Sequence, residues 1–257
     1  PPPEGVSAAV ESMVLHPSYP CLGARSVFNR DRATVVVLEQ LASDDSTQAL
    51  LRALTDFGRE TDRAAGFASP KTLEDFDFEH ARGLKRDTIA HLGTLDFVTA
   101  RENVVFLGPP GTGKTHLATG LGIRACQGGH RVLFATASEW VDRLASAHHA
   151  RRLQDELRRL ARYPLLVVDE VGYIPFEPEA ANLFFQLVSS RYERASLIVT
   201  SNKPFGRWGE VFGDDVVAAA MIDRLVHHAE VVALKGDSHR LKDRELRRGP
   251  SASNEEP

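Results

Sequence analysis

The 257-residue chain is 42% hydrophobic and 26% charged, with a formal net charge of −4. That is enough sequence to bury a full α/β core, and it excludes a low-complexity chain and a uniformly basic nucleic-acid binder, leaving only local basic patches that act over about a Debye length. No apolar run reaches the roughly 20 residues of a membrane helix, and the opening PPPEGVSAAVESM lacks the basic and apolar regions of a signal peptide.

Residues 1–37 carry prolines and serines without a sustained period, so no element is predicted there. A helix is predicted around 47–57. Ser69, Pro70 and Thr72 signal a turn, and 80–95 alternates apolar and polar residues at helical spacing. From Asn103 onward the pattern predicts strand 103–107, helix 114–127, strand 131–136, helices 138–147 and 151–162, and strand 165–169. Helix 179–193, strand 196–200, helix 215–228 and strand 230–234 follow. Runs such as LLVVD and LIVTS are apolar on both faces, as parallel strands must be when helices cover both sides of a sheet. The expected fold is a doubly wound α/β domain with a mostly parallel sheet.

The stretch NVVFLGPPGTGKTHLA joins the first of these strands to its helix. Gly108, Gly113, Lys114 and Thr115 satisfy GxxxxGK[ST], the phosphate loop of P-loop nucleotidases. The loop runs Gly108, Pro109, Pro110, Gly111, Thr112, Gly113; its glycines let the backbone N–H groups of the non-proline residues turn inward around phosphate oxygens, and the helix N-terminus adds its dipole. Lys114 would neutralise the β- and γ-phosphates of ATP, and the Thr115 hydroxyl would ligate Mg²⁺. His116, next in the chain, is counted with the nucleotide-binding residues.

LLVVDE, residues 165–170, ends a buried strand on two adjacent carboxylates. Asp169 can hold Mg²⁺, and Glu170 can face the γ-phosphate and polarise the attacking water. SLIVTSN closes the next strand on Asn202, where an amide lying between the phosphate loop and the acid pair could bond the γ-phosphate or the lytic water. The acid of a GTPase NKxD motif is missing after Asn202-Lys203, so ATP hydrolysis is the expected chemistry.

Taken with KTLEDFDF, ARYPLLVVDEVGYIPFEPEAANLFFQLVSSRYER, TSNKPFGRWGEVFGDD and AAAMIDRLVHHA, these motifs make 71–244 resemble the IstB family of insertion-sequence ATP-binding proteins. The family consists of AAA+ ATPases related to bacterial helicase loaders. The resemblance implies a P-loop NTPase of AAA+ type that binds double-stranded DNA with ATP, assembles on it as an ATP-dependent homo-oligomer, and recruits and stimulates a cognate transposase. It assigns Lys114, Thr115, Asp169, Glu170 and Asn202 to the Walker A, Walker B and sensor positions. Arg224 matches an arginine finger reaching a neighbouring subunit's nucleotide, with Arg191 and Arg194 as competitors, and Arg240 matches a sensor-2 arginine. A helicase loader of DNA replication and a nucleotide-gated scaffold that does not touch DNA are the alternatives.

The expected division is a poorly defined or degenerate helical extension over 1–66, the AAA+ domain over 67–244 and a disordered tail over 245–257. Members of the family carry basic residues at their amino end. Residues 1–66 here hold 6 basic and 9 acidic residues, which is not an electrostatic footprint for DNA. ARRLQDELRRLAR is basic but also amphipathic, with Leu153, Leu157 and Leu160 on one face. His148-His149 and His227-His228 are not expected to share a metal, because adjacent helical residues point about 100° apart. Trp140 and Trp208 are read as packing residues, and Gly120 and Gly122 as close approaches to the sheet. Cys21 and Cys126 lie in no metal-ligand spacing. A reducing, cytoplasmic location without membrane association is expected.

Overall fold

The computed structural model describes residues 65–67, 71–79, 81 and 83–236. The helix predicted at 47–57, Cys21 and Arg240 lie outside these residues. The described chain opens with α1 (Arg86–Leu92), α2 (Asp96–Ala100), β1 (Asn103–Leu107), α3 (Lys114–Gln127), β2 (Val132–Thr136), α4 (Ala137–His149) and α5 (Leu153–Leu160). It continues through β3 (Leu165–Val171), α6 (Pro178–Arg191), β4 (Ser196–Ser201), a 3₁₀ turn at Phe205–Arg207, α7 (Trp208–Phe212), α8 (Asp215–Val226) and β5 (Ala229–Ala233). The strands form one sheet in the order β2-β3-β4-β1-β5, every neighbouring pair parallel.

Strand periodicity divides the core in two. Val104 and Phe106 of β1 face one cluster with Leu117 and Leu121 of α3 and the lead-in residues Leu73 and Phe76. Val105, between them, faces the other cluster, with Trp140 and Leu144 of α4, Phe184 and Leu187 of α6, and Met221 and Leu225 of α8. β3 and β4 have no exposed apolar side chain, as expected of strands covered on both faces.

The helix starts follow from local chemistry. Thr136 caps α4 in a reciprocal box with Glu139, Pro178 opens α6, and the Asp214 carboxylate accepts from the N–H groups of Val216 and Val217 to start α8. The helix predicted over 80–95 is shorter and broken: α1 ends at Leu92, and Leu95 adopts a left-handed conformation, φ 66°, before α2. α7 was not predicted at all. Trp140 and Trp208 are fully buried, their indole N–H groups donating to the carbonyls of Val167 and Lys203. Gly120 and Gly122 are close approaches, chiefly to the lead-in rather than the sheet. A Cβ on Gly120 would lie 3.0 Å from the Leu73 nitrogen, and one on Gly122 would lie 2.6 Å from the Phe67 ring.

Candidate nucleotide-binding site

The site forms at the carboxyl ends of β1, β3 and β4, where parallel α/β sheets hold their ligands. β1 runs into the glycine-rich loop, and its first turn requires glycine: Gly108 has φ 155°, and a Cβ there would meet the Leu234 carbonyl oxygen at 2.4 Å. Gly113 has φ 92° and opens α3 with its φ in the left-handed region. A Cβ on Gly113 would strike the Phe76 ring at 2.5 Å. Phe76 also meets the His116 ring edge-on, at 5.3 Å between centroids, and His116 donates from Nε2 to the Thr72 carbonyl at 2.7 Å. His116, expected beside the nucleotide, is therefore tied to the lead-in. Thr112 Oγ1 donates to the Pro109 carbonyl at 2.9 Å, and Lys114 Nζ donates to the carbonyls of Gly108 and Pro109 at 2.7 Å each, so the ammonium sits within the loop at 8% exposure.

Across the loop, Thr115 Oγ1 donates to Asp169 Oδ1 at 3.0 Å. A hydroxyl and a buried carboxylate at that separation are hard oxygen donors of the kind Mg²⁺ takes. Thr200 Oγ1 donates to the same Asp169 oxygen at 2.5 Å and accepts from the Glu170 N–H at 3.0 Å. The β3–β4 register shifts here: Val168 pairs with Val199, but Val171 pairs with Ser201. Asp169 and Glu170 thus stand opposite the single residue Thr200, a β-bulge. Within it Glu170 has φ 64°, a left-handed conformation uncommon for a residue with a side chain, and its side chain is exposed while Asp169 is buried. The bulge turns the two acids in different directions.

β4 lies between β3 and β1, so Asn202 follows the strand that separates the acid pair from the phosphate loop. Its Oδ1 is buried without a hydrogen-bond partner among the described residues. It lies near Gly172, where an added Cβ would come within 3.4 Å of it. Lys203, next in the chain, points to Glu210 at 3.0 Å. Hydrogen bonds from Arg207 and then Lys203 hold the Glu210 carboxyl down to about 2.

The three candidate finger arginines separate clearly. Arg191 is 2% exposed and donates to the carbonyls of Leu160, Tyr163, Pro164 and Ser196 at 2.9–3.2 Å; burial lowers its guanidinium to about 9. It clamps the strand starts and cannot reach a neighbour. Arg194 is exposed. Arg224 lies over the Phe185 ring at 4.6 Å and donates to the Ala220 carbonyl. Its neighbour Leu225 accepts from Asn103 Nδ2 at the first residue of β1. Arg224 is therefore separated from its own phosphate loop by the length of β1, roughly 15 Å at 3.3 Å per residue.

Thr200 was not among the sequence candidates, although it is the residue that joins both acids; its place in TSN, two before Asn202, was the available signal. The leucine face of α5 is buried as expected. Its basic face is partly neutralised: Arg158 pairs with Asp155, and Arg159 and Arg143 both pair with Glu156. Inside α4 the His148 and His149 rings are 6.2 Å apart, and both Nε2 atoms face Glu179 Oε1, at 4.0 and 3.8 Å. The expectation that adjacent histidines diverge rests on helical geometry, and it does not apply to His227 and His228, which follow the end of α8 at Val226 with rings 4.3 Å apart. Cys126 is buried. Among the described residues no helix is long and apolar enough to cross a membrane.

Comparison with known proteins gives a consistent result. A model of the IstB-like ATP binding protein family matches residues 32–247. The ATP-binding protein of insertion sequence IS21 from Pseudomonas aeruginosa is 49% identical over 174 residues, 68% of this chain and 66% of that protein, so the match spans just under two thirds of the relative's length. The IS232 ATP-binding protein of Bacillus thuringiensis is 39% identical over 210 residues, 82% of this chain and 81% of that protein. Among solved structures, AMPPCP-bound DnaA from Aquifex aeolicus aligns with TM-score 0.55 at 20% identity, over 73% of this chain and 58% of that one. The DnaC helicase loader aligns with TM-score 0.51 at 20% identity, over 64% and 97% respectively. These likenesses establish the fold, a five-stranded parallel sheet of AAA+ P-loop type. With its family model spanning most of the sequence and relatives of this similarity, the chain belongs to the IstB-like ATP-binding proteins of insertion sequences.

Proposed function

We propose that this protein hydrolyses ATP and serves as a DNA-binding transposition accessory factor, assembling on duplex DNA and recruiting and stimulating the transposase of its own insertion sequence. The observation that carries the hydrolytic reading is the bulge that buries Asp169 against Thr115 while turning Glu170 outward. Lys114 and the loop N–H groups would hold the phosphates of ATP, and Thr115 and Asp169 would hold Mg²⁺, which when bound neutralises charge on the transferred phosphoryl group. Glu170 takes the proton of the attacking water, and Asn202 orients that water or the γ-phosphate. Arg224, remote from its own loop, fits a finger supplied to a neighbouring subunit, which makes the active unit an ATP-dependent homo-oligomer. Arg240 would act as a second sensor of bound nucleotide.

The catalytic unit is taken as 67–244, acting in the cytoplasm. DNA binding is supported by the insertion-sequence origin of the relatives and by a fold neighbour described as DnaA bound to AMPPCP and single-stranded DNA. The fold likeness to DnaC favours a second reading, a replicative helicase loader with the same active site. The insertion-sequence relatives favour the transposition role.

Two measurements test the proposal. Glu170→Gln should bind ATP normally and nearly abolish phosphate release, whereas Lys114→Ala should weaken nucleotide binding itself; wild-type turnover in Glu170→Gln refutes the assigned base. The full chain with ATP should bind duplex DNA with little sequence preference and lose affinity steeply with salt through counterion release. Absence of binding at low salt leaves a nucleotide-gated protein scaffold. Stimulation of a replicative helicase, but not of a cognate transposase, would favour the loader.

A further inference from the structure

We propose that Glu193, His227 and His228 form a binding site for a divalent transition-metal ion of the Zn²⁺ type. The site lies where two helix carboxyl ends converge. α6 ends at Arg191 and Glu193 follows in a left-handed conformation, φ 57°, while α8 ends at Val226 and the two histidines follow directly. One donor atom from each of the three residues lies within 4.8 Å of the others, and all three side chains are exposed. His228 Nε2 and Glu193 Oε1 are 3.6 Å apart. The edge of a tetrahedron with metal bonds of about 2.0–2.2 Å is roughly 3.4 Å, so that pair is already close to the separation of two ligands on one ion.

The donor set selects the metal. Two imidazoles and a carboxylate suit Zn²⁺ and its neighbours, whereas Mg²⁺ and Ca²⁺ prefer oxygen alone, so this site differs in kind from the Thr115–Asp169 pair. Exposure leaves the fourth position to water. His227 Nδ1 is hydrogen-bonded to the Tyr192 hydroxyl at 2.9 Å. An outer-shell bond of this kind fixes the ring of a ligating histidine and leaves Nε2 for the metal. Both helix dipoles present their negative ends to the same place, which favours a cation there.

Occupancy would tie the last turn of α6 to the last turn of α8. Arg224 lies in that turn of α8 and stacks on Phe185 of α6, so the metal would hold the proposed finger in place. The binding claim stands without the ATPase reading; only this consequence rests on it.

The test is Zn²⁺ binding to the full chain, measured by competition with a chromophoric chelator in excess Mg²⁺ and without nucleotide. The expected result is one equivalent of Zn²⁺ that is lost in His228→Ala and in Glu193→Gln and weakened about tenfold or more in Tyr192→Phe. The equivalent should survive in a His148→Ala, His149→Ala double variant, which removes the other exposed histidine pair. In a parallel thermal melt, Zn²⁺ should raise the midpoint of the wild-type protein but not that of His228→Ala, which separates site loss from misfolding. Equal Zn²⁺ binding by wild type and both ligand variants, or loss of the equivalent only in the His148/His149 variant, overturns the proposal and leaves Glu193 and His228 as a surface ion pair.

Discussion

Replacing Thr200 by valine tests whether the acid pair depends on the strand beside it. Valine keeps the volume and the β-branched shape, so the strand and the sheet contacts should survive. What disappears is one hydroxyl with two bonds, the donation to Asp169 at 2.5 Å and the acceptance from the Glu170 N–H at 3.0 Å. A bond to a carboxylate contributes about 1.5–3 kcal/mol and a neutral one about 0.5–1.5, so the folded protein should lose about 2–4 kcal/mol. Asp169 retains Thr115, so ATP affinity should change little. Glu170, held in its left-handed conformation by the bulge, loses the bond that fixes its backbone. If about 2 kcal/mol of that positioning is lost at the barrier, turnover falls about 30-fold. Steady-state phosphate release at a temperature well below the melting midpoint would show a fall in kcat at nearly constant KM, and Thr200→Ser should recover most of it. A Thr200→Val protein with wild-type kcat refutes the reasoning, as does a loss that serine does not rescue.

The remaining predictions concern the arginines. Mixing Arg224→Ala with Lys114→Ala protein should restore part of the ATPase activity missing from each alone, because one mixed interface pairs an intact loop with an intact finger; folded, assembling mixtures that stay inactive count against action in trans. Arg191→Leu should lower stability by about 3 kcal/mol or more, since four backbone carbonyls lose a charged donor. A thermal midpoint equal to wild type would contradict its role as a clamp.

The alternation of strands and helices and the phosphate loop were legible because they depend on local pattern. An apolar run flanked by glycine reads as a buried strand wherever it sits in the sheet, and Gly108, Gly113 and Lys114 are adjacent in sequence to the groups they serve. Thr200 was not legible because its role depends on the pairing of β3 with β4 and on a bulge that no periodicity announces. Arg191 misled for a similar reason: its spacing is that of a helix surface, and its burial is set by the carbonyls of the distant 160–164 turn together with that of nearby Ser196. The histidine doublet turned on the end of α8, where two residues decide whether neighbouring rings diverge or meet. The short α7 has too few turns to carry a periodic signal.

The packing of Phe76 on the phosphate loop gives the lead-in a mechanical role. A ring wedged against Gly113, with His116 anchored to the Thr72 carbonyl, makes residues 72–76 a brace for the first turn of α3. Van der Waals contact decays steeply with distance, so withdrawing the brace by a single ångström would forfeit much of that contact and leave the loop's shape to its own backbone. Displacement of the chain ahead of this point would therefore reach the first turn of α3 through the Phe76 ring and the His116 bond together.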